Sequence, residues 1–244
     1  GGHSTLDPPL PISNRTVKRR RADDSAYFMC ESRSPPGSPS TKPSPQPRRG
    51  LCALYRKEAE QVMKSDSEIA TLGGGCFWCL EAVFEQVVGV ESVVSGYSGG
   101  HLDSPSYAAV CNGGSGHAEV VQIVFHPLQC SFQQILEVFF AIHDPTTPNQ
   151  QGNDVGTQYR SVIFCHTDEQ QREARAVIAE LDSERLWSAP IVTEVLPVAR
   201  FFAAEPYHQQ YFRRNPDQGY CQVVVSPKLA KFRKRFSARL KANQ

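Results

Sequence analysis

About a third of the way along the chain, apolar side chains fall into a helical rhythm directly after a run of glycines. Phe77, Leu80, Phe84 and Val87 share one face, which Val83 and Val88 widen, and the spacing predicts a helix. The short apolar segment Ile69 to Leu72 before it predicts a strand, so Gly73-Gly74-Gly75 reads as a flexible turn between strand and helix. Val90 to Tyr97 predicts a strand running into the turn-rich Ser98-Gly99-Gly100, and Glu119 to Phe125 predicts a second. Ser131 with Gln134 three positions on forms a capping-box signature for a helix from Phe132 to Ile142, which His143-Asp144-Pro145 stops. Pro148 to Gly156 reads as a polar loop and Gln158 to Phe164 as another strand. Thr167 and Gln170 repeat the capping pattern before a helix with Ala174, Val177, Ile178 and Leu181 on one face. A strand at Ile191 to Val198, limited by Pro197, precedes a short helix around Tyr207 to Phe212, the apolar run Gln222 to Val225 and a basic helix from Pro227 onward. There is no internal repeat. Strands interleaved with helices, without a dinucleotide-binding glycine fingerprint, predict an α+β layered domain built on a mixed sheet.

The two ends of the chain differ in character. Residues 1–50 carry the basic cluster Lys18-Arg19-Arg20-Arg21 and a stretch dense in proline and serine from Ser34 to Pro47. Too few apolar groups are present there to offset the entropy of ordering, which predicts a disordered extension. Residues 51–65 are expected to form a lead-in helix or linker, and residues 66–244 the catalytic domain. The basic cluster fits a nuclear address, a nucleic-acid contact or part of an organellar transit peptide, although Asp23 and Asp24 speak against the last. A solvated tail in a cytoplasmic protein is the plainer expectation. A formal net charge of +1 gives no general argument for nucleic acid. No stretch approaches the ~18 consecutive apolar residues of a membrane span, so no membrane association is expected.

The eight cysteines, Cys30, Cys52, Cys76, Cys79, Cys111, Cys130, Cys165 and Cys221, are too sparse for a small disulfide-stapled scaffold. Reduced thiols, one or two of them catalytic, are expected instead. Cys76 falls where the helix begins, a position at which outward-pointing backbone N–H groups stabilise a thiolate and lower a cysteine pKa. Cys76 and Cys79 form a C-x-x-C pair. Structural zinc would need a second such pair, and none exists, so no metal site is expected. His117-Ala118-Glu119 matches half of a zinc deaminase signature, but the C-x-x-C precedes it instead of following. A thioredoxin-like dithiol remains open. Against it, Phe77 and Trp78 set bulky rings between the sulfurs, where they make better walls for a small apolar group.

Glu119 stands where a glycine-rich turn meets an apolar strand. Partial burial there would raise its pKa and suit it to proton donation near neutrality. Tyr107 and Tyr159 offer phenol hydroxyls to a polar oxygen, and Asp154 sits in the polar loop Gly152-Asn153-Asp154, where an Asx turn is its default role.

Seven segments then occur in a telling order: Gly75-Cys76-Phe77-Trp78, Gly96-Tyr97-Ser98-Gly99-Gly100, Gly116-His117-Ala118-Glu119, His143-Asp144-Pro145, Gln151-Gly152-Asn153-Asp154 with Gly156-Thr157-Gln158-Tyr159-Arg160-Ser161, Tyr207-His208-Gln209-Gln210-Tyr211, and Gly219-Tyr220-Cys221. Together they resemble the peptide methionine sulfoxide reductase A family over roughly Ile69 to Arg233. The resemblance implies a ferredoxin-like α+β two-layer sandwich with added helices and loops. It implies Cys76 as the nucleophile on the sulfoxide sulfur, Phe77 and Trp78 around the S-methyl group, and Glu119 as proton donor to the oxygen. Tyr107 and Tyr159 would hydrogen-bond that oxygen, and Asp154 would shape the same pocket. Cys76 would be left as a sulfenic acid. Cys221, in a glycine-rich and mobile-looking tail, matches the usual resolving cysteine, and thioredoxin would reduce the disulfide without any further cofactor. Oxidised proteins or free methionine sulfoxide are the implied substrates, and a monomer is expected. No cysteine follows Cys221 in this sequence, so a relay through a more distal C-terminal thiol is not expected. Cys79 is the rival resolver.

Overall fold

The computed structural model describes residues 67–242. The expected disordered extension and lead-in helix lie outside the described residues.

Strand β1 (Glu68–Gly74) leads into helix α1 (Phe77–Phe84), strand β2 (Val90–Ser98) and the short helix α2 (Tyr107–Cys111). Strand β3 (Ala118–Phe125) follows, then helix α3 (Phe132–Ile142). A small hairpin of β4 (Gln150–Gln151) and β5 (Asp154–Val155) precedes β6 (Ser161–Cys165) and helix α4 (Asp168–Ser183). The chain ends with β7 (Glu194–Pro197), β8 (Phe201–Ala203), α5 (Tyr211–Arg214), a π-helical turn (Cys221–Val225) and α6 (Ser226–Arg235).

The main sheet runs β7-β6-β1-β3-β2-β8. Its four central strands and the helices α1 and α3 make the β-α-β-β-α-β arrangement of a ferredoxin-like fold. Every pairing in the sheet is antiparallel except β6 with β7. Strand β1 lies in the middle and is buried from Ala70 to Gly74. On one face α1 packs on β2 and β3, and α3 on β1; α6 lies against both helices. On the other, Ala118, Val120, Val162 and Phe164 are covered by Ala199 and Phe201.

Local chemistry accounts for these elements. Ser131 accepts from the Gln134 N–H while the Gln134 side chain accepts from the Ser131 N–H, a complete capping box. Thr167 caps α4 by accepting from the Gln170 N–H, but Gln170 Oε1 accepts from His166 N–H and its Nε2 donates to Ile69 O. That box is therefore half formed, and its glutamine ties α4 to β1 instead. Phe77, Leu80, Val83 and Phe84 of α1 are all buried, each contributing about 1.5–3 kcal/mol relative to exposure.

Several expected boundaries move. The loop from Pro148 to Gly156 holds the β4–β5 hairpin. Tyr159 lies in a 3-10 turn (Thr157–Tyr159) ahead of β6 and not on the strand. The strand expected over Ile191 to Val198 is confined to Glu194–Pro197. The helix around Tyr207 splits into a 3-10 turn (Pro206–His208) and α5, separated where Gln210 takes a left-handed φ of 53°. Residues Gln222 to Val225 are π-helical and run straight into α6.

Candidate active site

The glycine run is packed, not flexible. Gly73 and Gly74 belong to β1 and pair with Val162 and Ser161 of β6. A Cβ on Gly74 would stand 2.8 Å from the Phe139 ring, so the helix layer presses directly on the strand. Only Gly75 turns the chain, with φ +92°, and a Cβ there would stand 2.5 Å from Gln151 Cγ. The next residue, Cys76, is the N-cap of α1, and its side chain makes no cap bond.

The Phe77 N–H, one of the free donors at the start of α1, is taken by Glu119 Oε2 at 3.1 Å. Glu119 pairs with Tyr97 across β2 and β3 and is 1% exposed. Burial pushes its carboxyl up to about 8, with the Asp154 charge adding to the shift and the Phe77 N–H opposing it. A carboxyl here keeps its proton at neutral pH.

The expected lowering of the Cys76 pKa is not what the structure gives. Burial pushes this thiol well above its ordinary value, and the neighbouring Cys79 and Glu119 push it further. The helix terminus cannot compensate, because its nearest free N–H already serves Glu119. Cys79 is buried in the first turn of α1, where its N–H donates to the Cys76 carbonyl at 3.1 Å. The adjoining Cys76 thiol, with Lys228 within electrostatic reach, holds Cys79 below the usual thiol range although burial opposes it.

Aromatic rings cluster around the first turn of α1. Phe77 packs on Tyr97 and on His208, with centroids 5.8 and 5.1 Å apart. Trp78 stacks on Tyr211 at 3.8 Å and donates its Nε1–H to His208 Nδ1 at 3.2 Å. Tyr107, the first residue of α2, is fixed by its N–H to Glu205 Oε1 at 2.9 Å, while Tyr97 donates its hydroxyl to Glu205 Oε2 at 2.9 Å. Burial opposes a charge on Glu205, but these two bonds prevail and hold its carboxyl below the usual range. Tyr107 and Tyr159 lie within electrostatic reach of each other and of Glu119, and burial raises both phenols. Asp154, on β5, accepts the Tyr220 hydroxyl at 2.7 Å, and Tyr220 also lies within electrostatic reach of the Cys76 and Cys79 thiols.

Cys76, Phe77, Trp78, Tyr107, Glu119, Asp154 and Tyr159 are thus brought together from five segments of the chain. Cys221 is near but not in a mobile tail. It is 0% exposed, opens the π-helical turn and stands within electrostatic reach of Cys79. Sequence reasoning overlooked Tyr220, His208 and Tyr211 as site residues, although each stands in a motif already singled out. Glu205 carried no sequence signal. Among the described residues, no group of three or more His, Cys, Asp and Glu side chains is placed to hold a metal ion.

A buried thiol, a protonated carboxyl and two phenols around one aromatic chamber are the ground plan of a thiol-based oxidoreductase. Residues 68–240 match the family described as peptide methionine sulfoxide reductase. The chain is 62% identical over 171 residues to the peptide methionine sulfoxide reductase MsrA of Chromobacterium violaceum, covering 70% of this chain and 97% of that one. It is 54% identical over 190 residues to the MsrA of Ralstonia nicotianae, covering 76% and 100%. Among solved structures it resembles reduced Mxr1 from Saccharomyces cerevisiae, with 36% identity, a TM-score of 0.59, and 64% and 90% of the two chains covered. It also resembles methionine sulfoxide reductase A of Corynebacterium diphtheriae, with 35% identity, a TM-score of 0.57, and 65% and 79% covered. The chain belongs to the peptide methionine sulfoxide reductase family, and its activity is reduction of methionine sulfoxide.

Proposed function

We propose that the chain reduces methionine-S-sulfoxide, in oxidised proteins or as the free amino acid, through a sulfenic acid on Cys76 and an intramolecular disulfide that thioredoxin recycles. The observation that carries this reading is the Phe77–Glu119 bond, which sets a proton-bearing carboxyl beside the N-cap thiol. The S-methyl group enters between Phe77 and Trp78. The sulfoxide oxygen, which gains negative charge as sulfur attacks, meets the Glu119 proton and the Tyr107 and Tyr159 hydroxyls. Asp154 shapes the chamber by holding the Tyr220 hydroxyl.

Cys76 attacks the substrate sulfur as Glu119 protonates the oxygen. The sulfur–oxygen bond of the substrate breaks and oxygen ends on Cys76. The methionine sulfur is reduced by two electrons and Cys76 is oxidised by two, to the sulfenic acid; the Cys76 thiol proton replaces the one Glu119 gave. Cys221 presents the resulting disulfide to thioredoxin. Its burial requires the π-helical turn to unwind first, and such turns recur at functional sites. No metal, flavin or nicotinamide enters the cycle. Repair of oxidised proteins is the cellular role this chemistry serves.

Racemic methionine sulfoxide with a dithiol tests the proposal: only the S-at-sulfur epimer should be consumed, and Cys76→Ser should consume neither. Equal consumption of both epimers would refute it.

A further inference from the structure

We infer that Glu205 is a positioning residue that holds the Tyr107 hydroxyl on the sulfoxide oxygen by tying helix α2 to strand β2. This rests on the reading of Tyr107 as a donor to that oxygen and names what keeps the donor in place.

Helix α2 has little of its own to hold it. It is five residues long and buries only Val110. A helix this short is marginal by itself in water. It lies in the connection 99–117 between β2 and β3, with Ser104 at a φ of 56° before it and Gly113 and Gly114 after it. A Cβ on either glycine would meet nothing within 4 Å, so the chain there borders open space. Ser106 caps the turn by accepting the Ala109 N–H at 3.3 Å, but that bond is internal to the segment. The Tyr107 ring packs on His208 with centroids 4.5 Å apart, a contact that supports the ring without fixing where its hydroxyl points. The tie from outside to the Tyr107 backbone is Glu205. Its Oε1 accepts the Tyr107 N–H and its Oε2 the Tyr97 hydroxyl, each at 2.9 Å. Bonds to a carboxylate are among the strong and directional ones.

The Glu205 end of this tie is rigid. Ala204 N–H donates to Ser95 O at 2.9 Å, which carries the β2–β8 pairing one step further. Gln209 locks the same place: its Oε1 accepts the Ser95 N–H at 3.1 Å, and its Nε2 donates to Ser95 O and Ala204 O at 2.9 Å. His208 N–H closes the turn after it by donating to Glu205 O at 2.9 Å. Tyr97 is 0% exposed and stands opposite Glu119 in the β2–β3 register. One carboxylate thus relates Tyr107, on a loosely held turn, to the strand pair that carries Glu119. That relation matters because the two groups must meet the same oxygen, and a displacement of about 1 Å can cost about 100-fold in rate.

The test is a double-mutant cycle on the single-turnover rate of methionine formation by the reduced full chain, so that recycling does not enter. The rate is measured over a range of methionine-S-sulfoxide peptide concentrations, with a thermal melt of each variant. Glu205→Ala should lower the saturating rate by about 10–100-fold and move the half-saturating concentration by less than about threefold, because a bond that strengthens in the transition state is what goes astray. In a Tyr107→Phe background the same replacement should cost less than about threefold, since the hydroxyl it positions is already gone. Glu205→Gln should stay within about threefold of the unaltered chain, because its amide oxygen can accept the Tyr107 N–H while its amide nitrogen donates to the Tyr97 oxygen. The inference is overturned if Glu205→Ala costs as much in the Tyr107→Phe background as in the unaltered chain, or if the glutamine variant is as slow as the alanine one. Should the alanine variant not fold, Tyr97→Phe, which unties Glu205 from β2 alone, takes its place in the cycle and is judged by the same comparison. Tyr107→Phe at the unaltered rate would remove the Tyr107 reading itself, and the role of Glu205 with it.

Discussion

The Phe77 N–H donates to Glu119 Oε2 across 3.1 Å, joining the first peptide of α1 to strand β3. One bond thereby sets where the thiol stands, takes up a helix donor that would otherwise favour a thiolate, and fixes the carboxyl proposed as the proton donor.

That bond yields a pH dependence. Glu119 titrates at about 8, so its donor form is present below that pH and lost above it. The activity kcat/KM should fall on the alkaline side with a midpoint near the Glu119 value. Glu119→Gln should remove this limb and lower kcat by about 10²–10⁴-fold, the usual worth of a positioned general acid. A profile of the variant that kept the same alkaline limb would assign it to another group.

Glu81 gives a stability prediction separate from catalysis. It is 1% exposed, accepts the Tyr211 N–H at 3.3 Å, and burial pushes it up to about 7. A carboxyl raised in the folded state binds more protons there than in the unfolded chain. Its contribution is complete below about 4.5 and is lost as pH rises toward 7. Its Oε1 and the Ser95 Oγ both lack a hydrogen-bond partner. Glu81→Gln keeps an acceptor for Tyr211 and adds a donor for Ser95, so the melting temperature should rise at pH 8 and its fall between pH 5 and 8 should flatten, measured by thermal melts across that range.

Much of this was written in local pattern. The helical spacing of Phe77, Leu80 and Phe84 and the full capping box at Ser131 found α1 and α3, because each signal is contained within a few residues. The hairpin β4–β5 and helix α2 escaped because two-residue strands and a five-residue helix are too short to show a period. The Cys76 shift was misread for a different reason. Helix-end reasoning counts local donors, whereas burial and the Glu119 carboxyl arrive from strands distant in sequence. Glu205 was invisible because its two partners, Tyr97 and the Tyr107 N–H, stand about a hundred residues earlier.

Gly75 is the most exacting position of the glycine run. Its φ of +92° is one that L side chains rarely adopt, and an added Cβ would meet Gln151 at 2.5 Å. Gln151 in turn bonds the Asp144 N–H and carbonyl, so it has little room to yield. Gly75→Ala should cost about 1–3 kcal/mol, seen in denaturant unfolding, and should lower kcat/KM by displacing Cys76. Unchanged activity at unchanged stability would mean that the turn relaxes freely.

Trp78 is held from two sides, by its stack on Tyr211 and by its bond to His208 Nδ1. Accepting from the indole fixes His208 as the neutral tautomer with its proton on Nε2, and burial lowers its pKa in the same sense. Trp78→Phe keeps an apolar wall but frees the His208 nitrogen, whereas Trp78→Ala removes the wall. If the ring serves the S-methyl group, the alanine variant should lose at least about tenfold in kcat/KM, consistent with the roughly 1–3 kcal/mol that a methyl-sized group gains in an apolar pocket. The phenylalanine variant should fall between the two. Steady-state kinetics on a methionine-S-sulfoxide peptide, with Glu119 intact in every variant, separate this binding loss from any change in proton donation, because the alkaline limb of the pH profile should stay where it is.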